Sequence, residues 1–164
     1  MKFYTQGLSY ALRLISKKRY TKNQIKQKLI KYFERKKSKE DCNLDQDEFI
    51  TMILERLQEL KYIDDLEYIN DYVNQRLKLK PRGIFLIKRE LKNKGIEDED
   101  INKYFQDKEI DEYDSAISCL IKKEKQWKKY SHFERKRKAF QHLQSRGFSF
   151  ESISKAVSKV YKNV

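Results

Sequence analysis

Lys94-Gly95-Ile96-Glu97-Asp98-Glu99-Asp100-Ile101-Asn102-Lys103-Tyr104-Phe105 is the stretch whose reading decides the fold. Ile96 stands ahead of an acidic run that opens a helix, with Ile101 five and Phe105 nine residues further on. An apolar residue before a helix that packs back on one inside it is a hydrophobic staple, which fixes how the chain enters the helix. The same pattern occurs as Leu44, Phe49 and Ile53 and again as Phe148, Ile153 and Val157, each copy 52 residues from the next. A constant interval between copies of one supersecondary unit marks a tandem array rather than one deep core.

Helical periodicity fills the intervals. Leu8-Ala11-Leu12-Ile15, Ile50-Ile53-Leu54-Leu57 and Ile153-Ala156-Val157-Val160 fall at i, i+3, i+4, i+7. No stretch sustains the alternation of a strand. Thr21-x-x-Gln24, Asp45-x-x-Glu48, Asp64-x-x-Glu67 and Ser131-x-x-Glu134 have the form of capping boxes or their close relatives. Gly95 and Gly147 suit left-handed C-caps, and Pro81 suits a first helical turn or the turn before it. These signals predict nine helices, at 5–18, 21–36, 46–60, 64–79, 83–94, 97–106, 110–128, 131–146 and 149–161. They group as an all-α, elongated array of three tandem, helix-turn-helix-like three-helix repeats over residues 1–61, 62–108 and 109–164. From Leu91 to Ile96 and from Leu143 to Phe148 the step is five residues, but from Leu29 to Leu44 it is fifteen, so 34–43 reads as an insertion.

Hydrophobic residues make up 38% of the 164-residue chain and charged residues another 38%, which favours several thin helical cores. Aromatics at 13% are too many for a disordered polyelectrolyte. The net charge of +13 draws the chain towards polyanions, and it is unevenly spread. Residues 17–37 hold ten Lys/Arg and one acid, and 120–147 hold ten and two, whereas 61–108 hold eleven against ten. Such basic blocks repel themselves unless a polyanionic partner neutralises them. The longest aliphatic and aromatic run, Ile84-Phe85-Leu86-Ile87, is too short to span a bilayer, and the first residues lack the apolar core of a secretory signal. Two cysteines, Cys42 and Cys119, without metal-ligand spacing fit a reduced, cytoplasmic protein.

Enzyme chemistry finds little support, and neither a cofactor nor a metal is expected. The four glycines are scattered rather than gathered into a phosphate loop. His132 and His142 lack a second ligand at metal spacing, and Cys119 lies in the apolar run of Ala116, Ile117, Leu120 and Ile121 and reads as core. Asp64 and Asp65 sit at an N-cap and in the first turn after it, where the helix dipole favours acids. The basic clusters Lys17-Lys18-Arg19 and Arg135-Lys136-Arg137-Lys138, with Tyr20, Trp127, Tyr130 and Phe133 among them, combine what phosphate neutralisation and base stacking need.

Tyr62-Ile63-Asp64-Asp65, Tyr68, Tyr72, Arg76, Lys80-Pro81-Arg82-Gly83, Ile87, Glu90-Leu91 and Lys94-Gly95-Ile96 together resemble the central signature of the RecX family. Arg146-Gly147-Phe148-Ser149-Phe150-Glu151 is similar to that family's C-terminal Arg-Gly-aromatic segment, and Ala11-Leu12 through Arg19, Ile25 and Leu29 resemble its N-terminal unit more loosely. The chain departs from the pattern at the 34–43 insertion and at Ile84, where relatives often carry proline. The resemblance implies tandem three-helix repeats. It also implies a non-enzymatic regulator that lies in the groove of the RecA–single-stranded DNA filament and suppresses ATP hydrolysis, strand exchange and co-protease activity. On that footing the contact surface comprises Lys17, Lys18 and Arg19 in the first repeat and Arg76, Arg82, Lys88, Arg89 and Lys94 in the second. Arg135, Arg137, Lys138 and Arg146 complete it in the third. The expected partners are the RecA filament and single-stranded DNA, met directly or through RecA, by a monomer that touches no membrane. Two other readings stay open on the residues alone: a free-standing nucleic-acid binder of helix-turn-helix type, and a helical scaffold for an acidic protein.

Overall fold

The computed structural model describes residues 2–37 and 46–161. Among these there are nine α-helices and no strand: α1 (Lys2–Ile15), α2 (Lys22–Lys37), α3 (Gln46–Glu59), α4 (Asp65–Lys78), α5 (Ile84–Asn93), α6 (Asp98–Asp107), α7 (Tyr113–Trp127), α8 (His132–Ser145) and α9 (Phe150–Val160). The fold is an all-α array of three-helix repeats. Leu44, Asp45 and Cys42, and with them residues 38–43 of the insertion, lie outside the described residues.

Three caps read from the sequence form as expected. Gln24 N–H donates to Thr21 Oγ1 at 3.1 Å and Glu67 N–H to Asp64 Oδ1 at 2.9 Å. Ser131 and Glu134 close a reciprocal capping box at the start of α8. Gly95 and Gly147 take φ of +76° and +79°, the left-handed turn that stops the preceding helix. Two helices, α1 and α7, differ from their expected spans by more than one residue at an end. α1 starts earlier and stops at Ile15, because Phe3 and Tyr4 also pack on the core and Lys17 N–H tightens onto the Leu14 carbonyl. Consequently Leu12 lies at the edge of the apolar face, 37% exposed. α7 starts at Tyr113 rather than 110, because Asp111 Oδ1 accepts the Tyr113 N–H and Glu112 leaves the helical path.

By packing, the chain divides into one compact unit of Met1–Tyr68 with Asn93–Asp100 and another of Ile69–Lys92 with Ile101–Val164. In the first, α1, α2 and α3 close over Ala11, Ile25, Leu29, Phe33, Ile53 and Leu57. In the second, α7, α8 and α9 close over Ala116, Leu120, Ala139, Leu143, Ile153 and Ala156, while polar bonds tie α4 to its neighbours. Tyr72 of α4 donates to Glu90 of α5, and Tyr104 of α6 donates to Asn70 of α4.

Each unit contains one junction of the same design. In the first, Thr21 Oγ1 donates to the Lys94 carbonyl at 2.9 Å, Lys22 N–H donates to Asp65 Oδ1 at 2.9 Å, and the Asn23 side chain lies on Gly95. In the second, Gly83 N–H donates to the Arg146 carbonyl at 2.9 Å, Phe85 N–H to the Gly147 carbonyl at 3.3 Å, and Ile84 N–H to Glu112 Oε2 at 2.8 Å. The start of a repeat's second helix thus rests on the glycine turn of the next repeat. It is sealed there by an acid at the start of that repeat's first helix. Ile63-Asp64-Asp65 and Ile110-Asp111-Glu112 supply the two acids in matching contexts.

At Gly83 the two backbones leave no room for a side chain: a Cβ would fall on the Gly147 carbonyl and the Phe148 amide. Gly7 differs, since a Cβ there would meet the side-chain atoms Phe33 Cζ at 2.6 Å and Ile53 Cδ1 at 2.7 Å, inside a helix where alanine is otherwise preferred. In urea unfolding, Gly83→Ala is expected to cost about 3 kcal/mol or more, because backbone cannot give way. Gly7→Ala is expected to cost less than half as much, its neighbours shifting while helix propensity returns about 1 kcal/mol.

Candidate functional site

The cationic side chains fall into three local arrangements. In the turn after α1, Lys17, Lys18 and Arg19 are all exposed. Lys18 Nζ lies 4.7 Å from the Tyr20 ring centroid, and Lys28 Nζ of α2 lies 5.5 Å from the same ring. Arg19 pairs with Glu67 at 2.9 Å, but with 55% of each side chain exposed the pair contributes at most about 1 kcal/mol.

The second arrangement runs along α8. Lys138 Nζ lies 4.3 Å and Lys129 Nζ 5.3 Å from the Tyr130 ring centroid, Arg137 is exposed, and Arg135 is half-buried with its Nε unpartnered. Ser131 N–H and Oγ both donate to Glu134 Oε2, which holds that carboxyl below its usual range. Arg146 caps the end of α8 and lends its carbonyl to Gly83.

The third arrangement is internal. Arg76 Nε donates to Glu90 Oε2 at 2.8 Å, Tyr72 Oη donates to the same oxygen at 2.9 Å, and Arg76 Nη2 donates to Tyr72 Oη at 2.7 Å. Arg82 Nε stands 3.2 Å from Glu90 Oε1, an ion pair whose angle is too poor for a hydrogen bond. Burial opposes the Arg76 charge, but Tyr72 and Glu90 more than offset it and hold the guanidinium above its ordinary value. Burial, reinforced by Glu90, pushes the Tyr72 phenol up against the pull of Arg76, so it stays protonated and donates. Arg76 and Arg82 therefore act inside the middle repeat, tying α4 and the entry to α5. Of the other cations named there, Lys88 lies over Phe105 at 4.9 Å, Lys94 lies over Tyr68 at 6.0 Å, and Arg89 is exposed.

Nothing in these arrangements assembles a catalytic or metal centre among the described residues, where no group of three His, Cys, Asp or Glu side chains converges. Cys119 Sγ lies 3.4 Å from His142 Nε2, yet burial raises the thiol against nearby Arg146 and lowers the imidazole, which Arg146 lowers further. Both groups are thus held neutral in the core of α7 and α8, without the thiolate a nucleophile needs. A groove of about 1290 Å³ beside α5 and α9 has Lys88, Glu109, Asp111, Glu151 and Lys155 on its walls and is lined by no histidine or cysteine among the described residues. Among the described residues no helix is long and apolar enough to cross a membrane.

Residues 64–104 match the family profile described as "RecX, second three-helix domain", and residues 109–157 match "RecX, third three-helix domain". The chain is 32% identical over 119 residues to the regulatory protein RecX of Prosthecochloris aestuarii, covering 71% of this chain and 76% of that protein. The chain belongs to the RecX family. The regulatory protein RecX of Chlorobium phaeobacteroides is 31% identical over 161 residues, 96% of this chain and 95% of the relative. The Leuconostoc mesenteroides RecX is longer: at 33% identity the match covers 94% of this chain but 54% of the relative. In fold, the crystal structure of RecX from Lactobacillus salivarius superposes with a TM-score of 0.80 over 97% of both chains at 21% identity. These RecX relatives are named regulatory proteins, not enzymes.

Sequence reasoning placed the cations but missed two acids, Glu90 beneath Arg76 and Arg82 and Glu112 at the starts of α5 and α9. Glu90 entered only through its resemblance to the RecX signature, and Glu112 was not singled out at all. The matching contexts of Asp65 and Glu112 are the signal that would have found the second. Glu90→Gln keeps the shape of the side chain but leaves Arg76 and Arg82 facing a neutral amide. It is expected to destabilise by about 2–3 kcal/mol, whereas Arg19→Ala is expected to change stability by less than about 1 kcal/mol. Paired urea titrations read both.

Proposed function

We propose that this RecX-family chain regulates a RecA recombinase by lying in the groove of the RecA–single-stranded DNA filament, where it inhibits ATP hydrolysis, strand exchange and co-protease activity. The observation that carries this reading is the RecX match over residues 64–104 and 109–157, in a chain whose flanking blocks 17–37 and 120–147 each hold ten Lys/Arg against one and two acids. The chain acts as a cytoplasmic monomer without catalysis of its own, its three repeats at 1–61, 62–108 and 109–164 serving as successive contacts. An array lodged along the groove holds neighbouring protomers in one register, so that a subunit cannot complete the geometric change of its ATP cycle. The same body obstructs the second DNA strand. Lys17, Lys18 and Arg19, with Arg137 and Lys138, supply the electrostatic attraction and give fast, salt-sensitive association. Arg89 and Lys94 extend the surface into the middle repeat, whereas Arg76 and Arg82 support it from within.

Single-stranded-DNA-dependent ATP hydrolysis by RecA, with the full chain titrated in at two salt concentrations, tests this. Inhibition below one molecule per protomer, relieved by salt, is expected. Combined reversal of Lys17, Lys18, Arg137 and Lys138 to Glu is expected to raise the half-inhibitory concentration more than tenfold. Unaltered inhibition by that variant overturns the role given to the clusters. No inhibition by the parent chain, together with a sequence-selective duplex footprint, supports the helix-turn-helix reading instead.

A further inference from the structure

Tyr20 and Tyr130 occupy the same local place in the first and third repeats. Each directly precedes the capping residue of its repeat's second helix, Thr21 or Ser131, and each has a lysine eight positions on, Lys28 or Lys138. In both cases that lysine and one other converge on the ring: Lys18 and Lys28 on Tyr20, Lys129 and Lys138 on Tyr130. In the middle repeat the corresponding pair is Arg82 and Glu90, an internal ion pair. The middle position neutralises itself, and the outer two concentrate two positive charges at one aromatic ring.

The two outer positions differ in one respect. Two residues beyond the cap, the first repeat has Asn23, laid against Gly95, and the third has Phe133, which is 76% exposed. An exposed ring three residues from a tyrosine that holds two ammonium groups matches an unstacked base and its phosphates. The lysine ammonium binds phosphate as a point charge. Glu134, the acid on this turn, has Oε2 already engaged by Ser131.

We propose that the third repeat contacts single-stranded DNA directly, Lys129 and Lys138 around Tyr130 taking backbone phosphates while the Phe133 ring stacks on a base. The inference deepens the filament reading and rests on it for the source of the strand. It decides that the DNA is touched by this chain rather than only through RecA. A duplex offers no unstacked base to Phe133, so the site prefers single strands.

The test is fluorescence anisotropy of a labelled oligothymidylate with the full chain and no RecA present. The parent chain is expected to bind it more tightly than a duplex of equal length. Phe133→Ala, at a position with no core role, is expected to weaken binding about tenfold or more. Lys129→Gln with Lys138→Gln is expected to lower the slope of log affinity against log salt by about 1.4. Absence of oligonucleotide binding by the parent, equal binding of duplex, or unchanged affinity of Phe133→Ala overturns the proposal. The RecA ATPase assay on the same variants separates the two readings. Lost inhibition by variants of a chain that does not bind DNA alone assigns the cluster to an acidic protein surface, overturning this site but not the regulatory role. DNA binding with the expected losses, in a chain that never inhibits RecA, supports the site and overturns the regulator.

Discussion

Glu112 is 3% exposed, and its two carboxylate oxygens receive the Ile84 N–H at 2.8 Å and the Ser149 N–H at 2.6 Å, at the starts of α5 and α9. A buried carboxylate without partners costs several kcal/mol. Here each oxygen faces the positive end of a helix dipole and an amide left without an intrahelical acceptor, so one group satisfies two helix starts. Glu112 stands at the N-cap of α7 but makes no capping bond there. The rest of the second unit depends on this choice. Gly83, at the N-cap of α5, has no side chain with which to cap its own helix, and the Arg146–Phe148 backbone pressed against it forbids one. Gly83, Glu112 and Gly147 are one constraint seen from three positions.

The first unit solves the same problem with more redundancy. Thr21 caps α2 itself and also reaches the Lys94 carbonyl, so Asp65 seals Lys22 as a supplement. Burial raises the Asp65 carboxyl above its usual range against the Lys22 hydrogen bond, and Asp100 adds to the rise. The acids of both junctions and of the Glu90 network face inwards, onto amides and guanidinium groups of the fold. The lysines around Tyr20 and Tyr130 gather instead on aromatic rings, with Glu134 acting on Lys138 from the same turn. The positive charge of the chain is therefore presented where the repeats differ, and cancelled where they join.

The architecture was legible because its signals are local. The staples at Ile96 and Phe148, the caps at Thr21, Asp64 and Ser131 and the glycine turns all depend on residues within one helical turn, and each helix formed within a few residues of its expected span. The junction acids were not legible, because an acid at a helix start reads as a dipole partner of its own helix. Asp65 and Glu112 serve other helices, 43 and 28 residues away in sequence. The roles of Arg76 and Arg82 were obscured for the same reason. A guanidinium in a basic chain reads as surface until Glu90 is seen beneath it, 14 residues from Arg76. Lysine–aromatic proximity was visible as composition, whereas the pairing of two ammonium groups on one ring required the turn of the chain before α2 and α8.

The direction of the sealing contacts has a consequence for biosynthesis. At each junction the acid lies C-terminal to the second helix of the preceding repeat, α2 or α5, so a ribosome delivers that helix before its seal. α5 emerges with a glycine at its N-cap and exposed amides, and Glu112 follows 28 residues later. The second contact of that carboxylate, with Ser149, waits another 37 residues. α2, with Thr21 and Gln24 at its start, needs no such delay. Synthesis thus supplies the capping groups of α2 together with that helix and the seals of the middle repeat only with the third, so the sealing groups become available in order from N- to C-terminus.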